Sequence, residues 1–145
     1  MLVMILGLML ATEAAAQPCP VQPVLPRGFA GWTVPGNRPG IGRRFDVTGA
    51  RAVAGETAQE RARGGKALVV EITVPRAGSY AVALSDAAWI DLVRDGKTQA
   101  ATGHQHGDTC SGIRKIVRFD LLPGQYQLRL SGIKADRIGI IIADQ

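Results

Sequence analysis

Sulfur, imidazole and aromatic carbon are all scarce in this chain, which has only two cysteines, two histidines and 5% aromatic residues in 145. With no third histidine, a metal centre built mainly from imidazoles is excluded. One pair of cysteines permits a single disulfide, so the core must come from packing, and a chain of this length can supply one. The few aromatics do not interleave with the basic residues, so a nucleic-acid surface is not expected. Long apolar runs are missing as well. The longest, Leu2–Leu10, is about half of what a helix needs to cross a bilayer, so stable membrane insertion is not expected. Helix-forming composition is confined to Glu56–Arg63, bracketed by Gly55 and Gly64-Gly65, which leaves room for a loop or one helical turn.

What is present begins with a leader. Leu2–Leu10 is followed by Ala14-Ala15-Ala16, small residues of the kind a signal peptidase reads, and then by Gln17-Pro18. Residues 1–16 therefore read as a cleaved signal peptide, and the mature protein as periplasmic or secreted. In an oxidising compartment Cys19 and Cys110 read as one disulfide, which would stabilise the fold by ~4–5 kcal/mol through loop closure. The alternative is a thiolate ligand or nucleophile at Cys110. The net charge of +5 is concentrated between Arg27 and Lys66. It suits a solvated basic face, with an anionic glycan, a lipid headgroup or an acidic partner as the functional alternatives.

Residues 17–42 carry six prolines and five glycines, which predicts an irregular arm rather than a helix or central strand. Phe29 and Trp32 are its only large hydrophobes and are expected to pin it to the body. Residues 43–145 read as the folded domain. Strands are expected over Arg43–Val47, Ala67–Val74, Ser79–Ser85, Trp89–Arg94, Lys97–Ala101, Ile113–Leu121, Gln125–Ser131 and Arg137–Ile142. Asp95-Gly96 is a strong two-residue hairpin turn. An internal echo joins Gly78-x-Tyr80-x-Val82-x-Leu84-Ser85 to Gly124-x-Tyr126-x-Leu128-x-Leu130-Ser131, each after an apolar strand and a proline. The two units read as hairpins stacked face to face, at equivalent corners of the sheets. The expected fold is all-β: a single-domain antiparallel β-sandwich, jelly-roll or carbohydrate-binding-module-like, with a cupin-type barrel as the neighbouring option.

Chemistry concentrates in residues 102–118. His104-x-His106 on an extended segment would place both imidazoles on one face, half of a site for a divalent ion such as Fe, Zn or Cu. Asp91 and Asp108 are the oxygen ligands within reach of that reading. Otherwise the pair simply lines a polar loop. Arg114, Lys115 and Arg118 surround the same loop with positive charge, the Ser111-Gly112 pair offers backbone amides, and protonated imidazoles would add to an anion site. A nucleophile set drawn from Ser111, His104 or His106 and Asp108 would have to come from one short loop, whereas such sets converge from separate segments. The expectation is thus a binding or structural module rather than an enzyme. Its partner classes are a small anion, a glycan or a periplasmic protein.

The segment Gly78–Gly132, with its core His-x-His-Gly-x-x-Cys-Ser-Gly-Ile-Arg-Lys, resembles a group of short exported alphaproteobacterial proteins commonly labelled homogentisate 1,2-dioxygenase. The resemblance implies a small β-rich secreted domain. The label implies a non-haem iron dioxygenase, with His104 and His106 as the imidazole ligands. The glutamate that completes such an iron site has no counterpart in this stretch.

Overall fold

The computed structural model describes residues 14–145; most of the leader read at 1–16 lies outside them. In chain order the elements are β1 (Phe45–Val47), α1 (Ala58–Ala62), β2 (Lys66–Val74), β3 (Gly78–Leu84), β4 (Trp89–Arg94), β5 (Lys97–Thr98), β6 (Gly103–Gln105), β7 (Lys115–Leu121), β8 (Gly124–Ile133) and β9 (Ile138–Asp144). They form two antiparallel sheets, ordered β1-β9-β3-β7-β6 and β2-β8-β4-β5. The result is the expected all-β sandwich. Some strand details differ from the sequence expectation. The segment read as a strand over Lys97–Ala101 pairs only at Lys97 and Thr98, and Gly103–Gln105 adds an edge strand beside β7.

Alternation along the strands builds the core. Tyr80, Val82 and Leu84 of β3, Val117, Phe119 and Leu121 of β7, and Ile138, Ile140 and Ile142 of β9 all point between the sheets. There they meet Leu92 of β4 and Tyr126, Leu128 and Leu130 of β8. The other face of the five-stranded sheet is also apolar. Ala81, Ala83, Ile116, Ile141 and Ala143 form a second cluster with Phe29 and Trp32, both buried. The alanines leave room for those two rings, so the proline-rich arm lies over the sheet as a third layer. Burying Phe29 alone is worth about 2–3 kcal/mol. Gly28 lets the arm pass close to β9: its φ is +84°, and a Cβ there would sit 2.5 Å from the Asp144 carbonyl oxygen.

The echoed units are corners but not hairpins. β2 and β3 belong to different sheets, as do β7 and β8, so each proline-bearing turn carries the chain across the sandwich. Pro75 and Pro123 lack the N–H that would extend a ladder, which ends in-sheet pairing at those points. A tyrosine then ties each corner. Tyr80 Oη donates to the Arg76 carbonyl at 2.8 Å. Tyr126 Oη donates to the Leu122 carbonyl at 2.8 Å and accepts from the Leu122 amide at 3.1 Å. Both are tyrosine-corner arrangements. Asp95 and Gly96, both at positive φ, make the tight turn between β4 and β5.

Helix α1 has a complete capping box. The Thr57 hydroxyl accepts from the Glu60 amide, and the Glu60 carboxylate accepts from the Thr57 amide. Glu60 also accepts from Arg129 Nε at 2.7 Å and from its Nη2 at 3.1 Å, which docks α1 on the outer face of the four-stranded sheet.

Candidate functional site

The loop between β6 and β7 is held by the arm. A disulfide joins Cys19 to Cys110 across 91 residues. The indole N–H of Trp32 donates to the Ser111 carbonyl at 3.0 Å in a buried bond, and Ile113 packs beside Phe29 and Trp32. Within the loop, Ser111 Oγ donates to the Asp108 carbonyl at 2.6 Å and accepts from the Ile113 amide at 3.1 Å. Ser111 is therefore buried and fully engaged, with no imidazole partner. Its amide also donates to the Asp108 carbonyl, so one of the two backbone donors expected for an anion is spent inside the turn. Gly107 is required where it stands, because a Cβ there would collide with the Ile113 carbonyl.

This fixed loop forms one wall of a cleft of about 510 Å³ at the end of the sandwich. His104, His106, Arg114 and Lys115 all line it, as the sequence suggested. His104 pairs with Val117, whose side chain faces the core, so the alternation turns the imidazole towards the space between the sheets. His106 follows two residues later, and its Nδ1 lies 3.1 Å from the Arg114 carbonyl. The opposite wall comes from the turn after β3 and the ends of β4 and β8: Asp86, Trp89, Gly132 and Lys134. Arg118 does not join them. It lies an odd number of residues from Lys115, so it faces the other side of β7, where it donates to Gln105.

Sequence reasoning missed Trp89, Lys134 and Arg63. Trp89 is 56% exposed, an unusual state for an indole. The guanidinium of Arg63 stands 4.6 Å from its ring centroid, and Lys115 Nζ 5.4 Å from it. Arg63 is itself held by Asp91 Oδ2 at 2.7 Å and Ser131 Oγ at 2.9 Å. The period-two reading of β4 did contain a signal: Trp89 falls on the same face as Asp91, opposite Ile90 and Leu92.

Three cations in this cleft, Arg114, Lys115 and Lys134, face a single carboxylate, Asp86. None of the three makes an ion pair among the described residues. Lys115 is half-buried and donates only to the Ala88 carbonyl, at 2.9 Å. Burial pushes its ammonium below the ordinary lysine range, and the charge of Arg63 adds to the effect while Asp91 opposes it. An anion beside it would relieve both.

The donor set does not fit a non-haem iron centre. Cys110 is oxidised, Asp91 is bound to Arg63, and no three His, Cys, Asp or Glu side chains come together as a metal site among the described residues. His104 and His106 line the cleft with Asp86, but the three do not come together as a metal group among the described residues.

A second cleft of about 760 Å³ runs over the outer face of the four-stranded sheet beneath α1. It contains Glu60 and Asp91, each held by an arginine. The hydrogen bonds from Arg129 hold the Glu60 carboxyl at about 2, well below its ordinary value, so it stays ionised and offers no proton for acid catalysis. No helix among the described residues is long and apolar enough to cross a membrane. No protein-family model matches the chain, and neither a curated protein nor a solved structure shows significant similarity to it.

Proposed function

We propose that this protein is an exported binding module that captures an anionic group in the cleft between His104, His106 and Trp89. The observation that carries this reading is the set of three cations, Arg114, Lys115 and Lys134, which line one cleft and make no ion pair among the described residues. Lys115 matters most, because it is the most withdrawn from water and its ammonium has donors to spare. The imidazoles add N–H donors to the same wall. Export is supported by the leader and by the disulfide, which persists in an oxidising compartment.

The test is an amide-shift titration of the mature protein with inorganic phosphate and with glucuronate. Shifts should concentrate at His104, His106 and Lys115. Lys115→Gln should weaken binding by about tenfold or more, the size expected for one charge-assisted hydrogen bond. Unmoved amides at saturating anion would reject the reading. Oxygen uptake by the same protein with Fe(II) and homogentisate would instead assign it to the dioxygenases named by the resemblance. N-terminal sequencing of the periplasmic fraction should begin at Gln17.

A further inference from the structure

The anion cleft and the polar cleft beneath α1 meet at one pair of side chains. Trp89 lines the first, Arg63 lines the second, and Arg63 stacks on the Trp89 ring. Their walls continue along two paired strands. Trp89 is opposite Ser131, Asp91 opposite Arg129, and Val93 opposite Gln127, all facing away from the core. From Trp89 to Val93 this row is about 13 Å long, enough for two to three sugar rings end to end.

The two ends differ in charge. Next to Trp89, the cations Arg114, Lys115 and Lys134 are unpaired among the described residues. Beyond it every charge has a partner: Arg63 is bound to Asp91 and Arg129 to Glu60. What the second cleft leaves available is neutral and polar, chiefly the Gln59 amide and the Thr98 hydroxyl, since the Gln127 amide donates to Glu71 and accepts from Arg129. A chain carrying a negative charge on every unit would find cations at only one end. A chain of hydroxyl-bearing rings with one acidic unit would be matched along its whole length, with a ring face beside the indole.

We infer that the two clefts form one groove for a mostly neutral saccharide chain bearing a single carboxylated sugar, the carboxylate lying at Lys115 and the neutral rings running past Trp89 towards Thr98. This rests on the anion reading of the first cleft. Trp89 is the boundary residue, clamped in place by Arg63, and Gln59 and Thr98 act only on the neutral part of the ligand.

Calorimetric titration of the mature protein tests this with four probes: free glucuronate, a tetrasaccharide of three neutral sugars and one glucuronate, a fully charged tetragalacturonate, and tetraglutamate. The singly charged tetrasaccharide should bind at least tenfold more tightly than free glucuronate, and more tightly than either polyanion. Gln59→Ala with Thr98→Ala should remove most of that gain while leaving free glucuronate binding unchanged. Trp89→Ala should weaken the tetrasaccharide too. Equal affinity for glucuronate and the tetrasaccharide would overturn the groove and leave the anion site standing. Tightest binding by tetragalacturonate or tetraglutamate would overturn it in favour of charge alone. If none of the four probes binds, the anion reading falls and the groove falls with it.

Discussion

Replacing Glu60 by glutamine would remove the ion pair that docks α1. One carboxylate oxygen accepts from Arg129 Nε, and the other accepts from both Arg129 Nη2 and the Thr57 amide. A glutamine can reproduce only one of these acceptors, because its NH2 group would face donors in place of the other oxygen. The carboxyl titrates at about 2 rather than the ordinary 4.5, a difference of roughly 3 kcal/mol between its protonated and ionised forms. Because the folded-state value is depressed, this stability is fully present above about pH 4.5 and is lost as pH falls towards about 2. Urea unfolding with the disulfide intact should show Glu60→Gln about 3 kcal/mol less stable than the parent at pH 7. The gap should shrink steadily below pH 4.5. A gap under about 1 kcal/mol, or one that does not change with pH, would refute the linkage between this pair and stability. Since α1 leads directly into Arg63, the same variant should also alter Trp89 fluorescence before global unfolding.

Three other outcomes follow from the geometry. Tyr126→Phe should cost about 2 kcal/mol and Tyr80→Phe about 1 kcal/mol, because Tyr126 Oη serves two backbone groups at its corner and Tyr80 Oη one; equal midpoints in urea would contradict this. Cys19→Ser with Cys110→Ser should lose up to ~4 kcal/mol by loop closure yet keep the far-ultraviolet signature of the sheets, since both cysteines lie outside the strands; an unchanged midpoint would refute it. Trp32→Phe removes the buried bond to Ser111 and should cost about 2 kcal/mol, with faster amide exchange across residues 106–113; unchanged exchange there would mean that the arm does not hold the loop.

Much of the candidate site was legible because it is local. His104 and His106, two residues apart, both reach the cleft, and Arg114 and Lys115 follow within the same loop. Arg118 was expected in the same site and does not line the cleft; its odd spacing from Lys115 on a strand puts the two on opposite faces. The other wall was not. Trp89, Lys134 and Arg63 come from β4, the end of β8 and the end of α1, and no spacing in the chain announces that these meet the histidine loop.

The same division runs through the fold. Alternating apolar residues, the Asp95-Gly96 turn, the proline-terminated strands and the lone cysteine pair act over a few residues or by simple count, so the amino-acid sequence alone determined the β class, the tight turn and the disulfide. Whether the turns at Pro75 and Pro123 fold back within a sheet or cross between sheets was decided by tertiary pairing, because alternation says which face of a strand is wet but not which strand lies beside it. The arm was decided the same way: Phe29 and Trp32 lie flat on β3 and β9 only because alanines there, far along the chain, leave them the space.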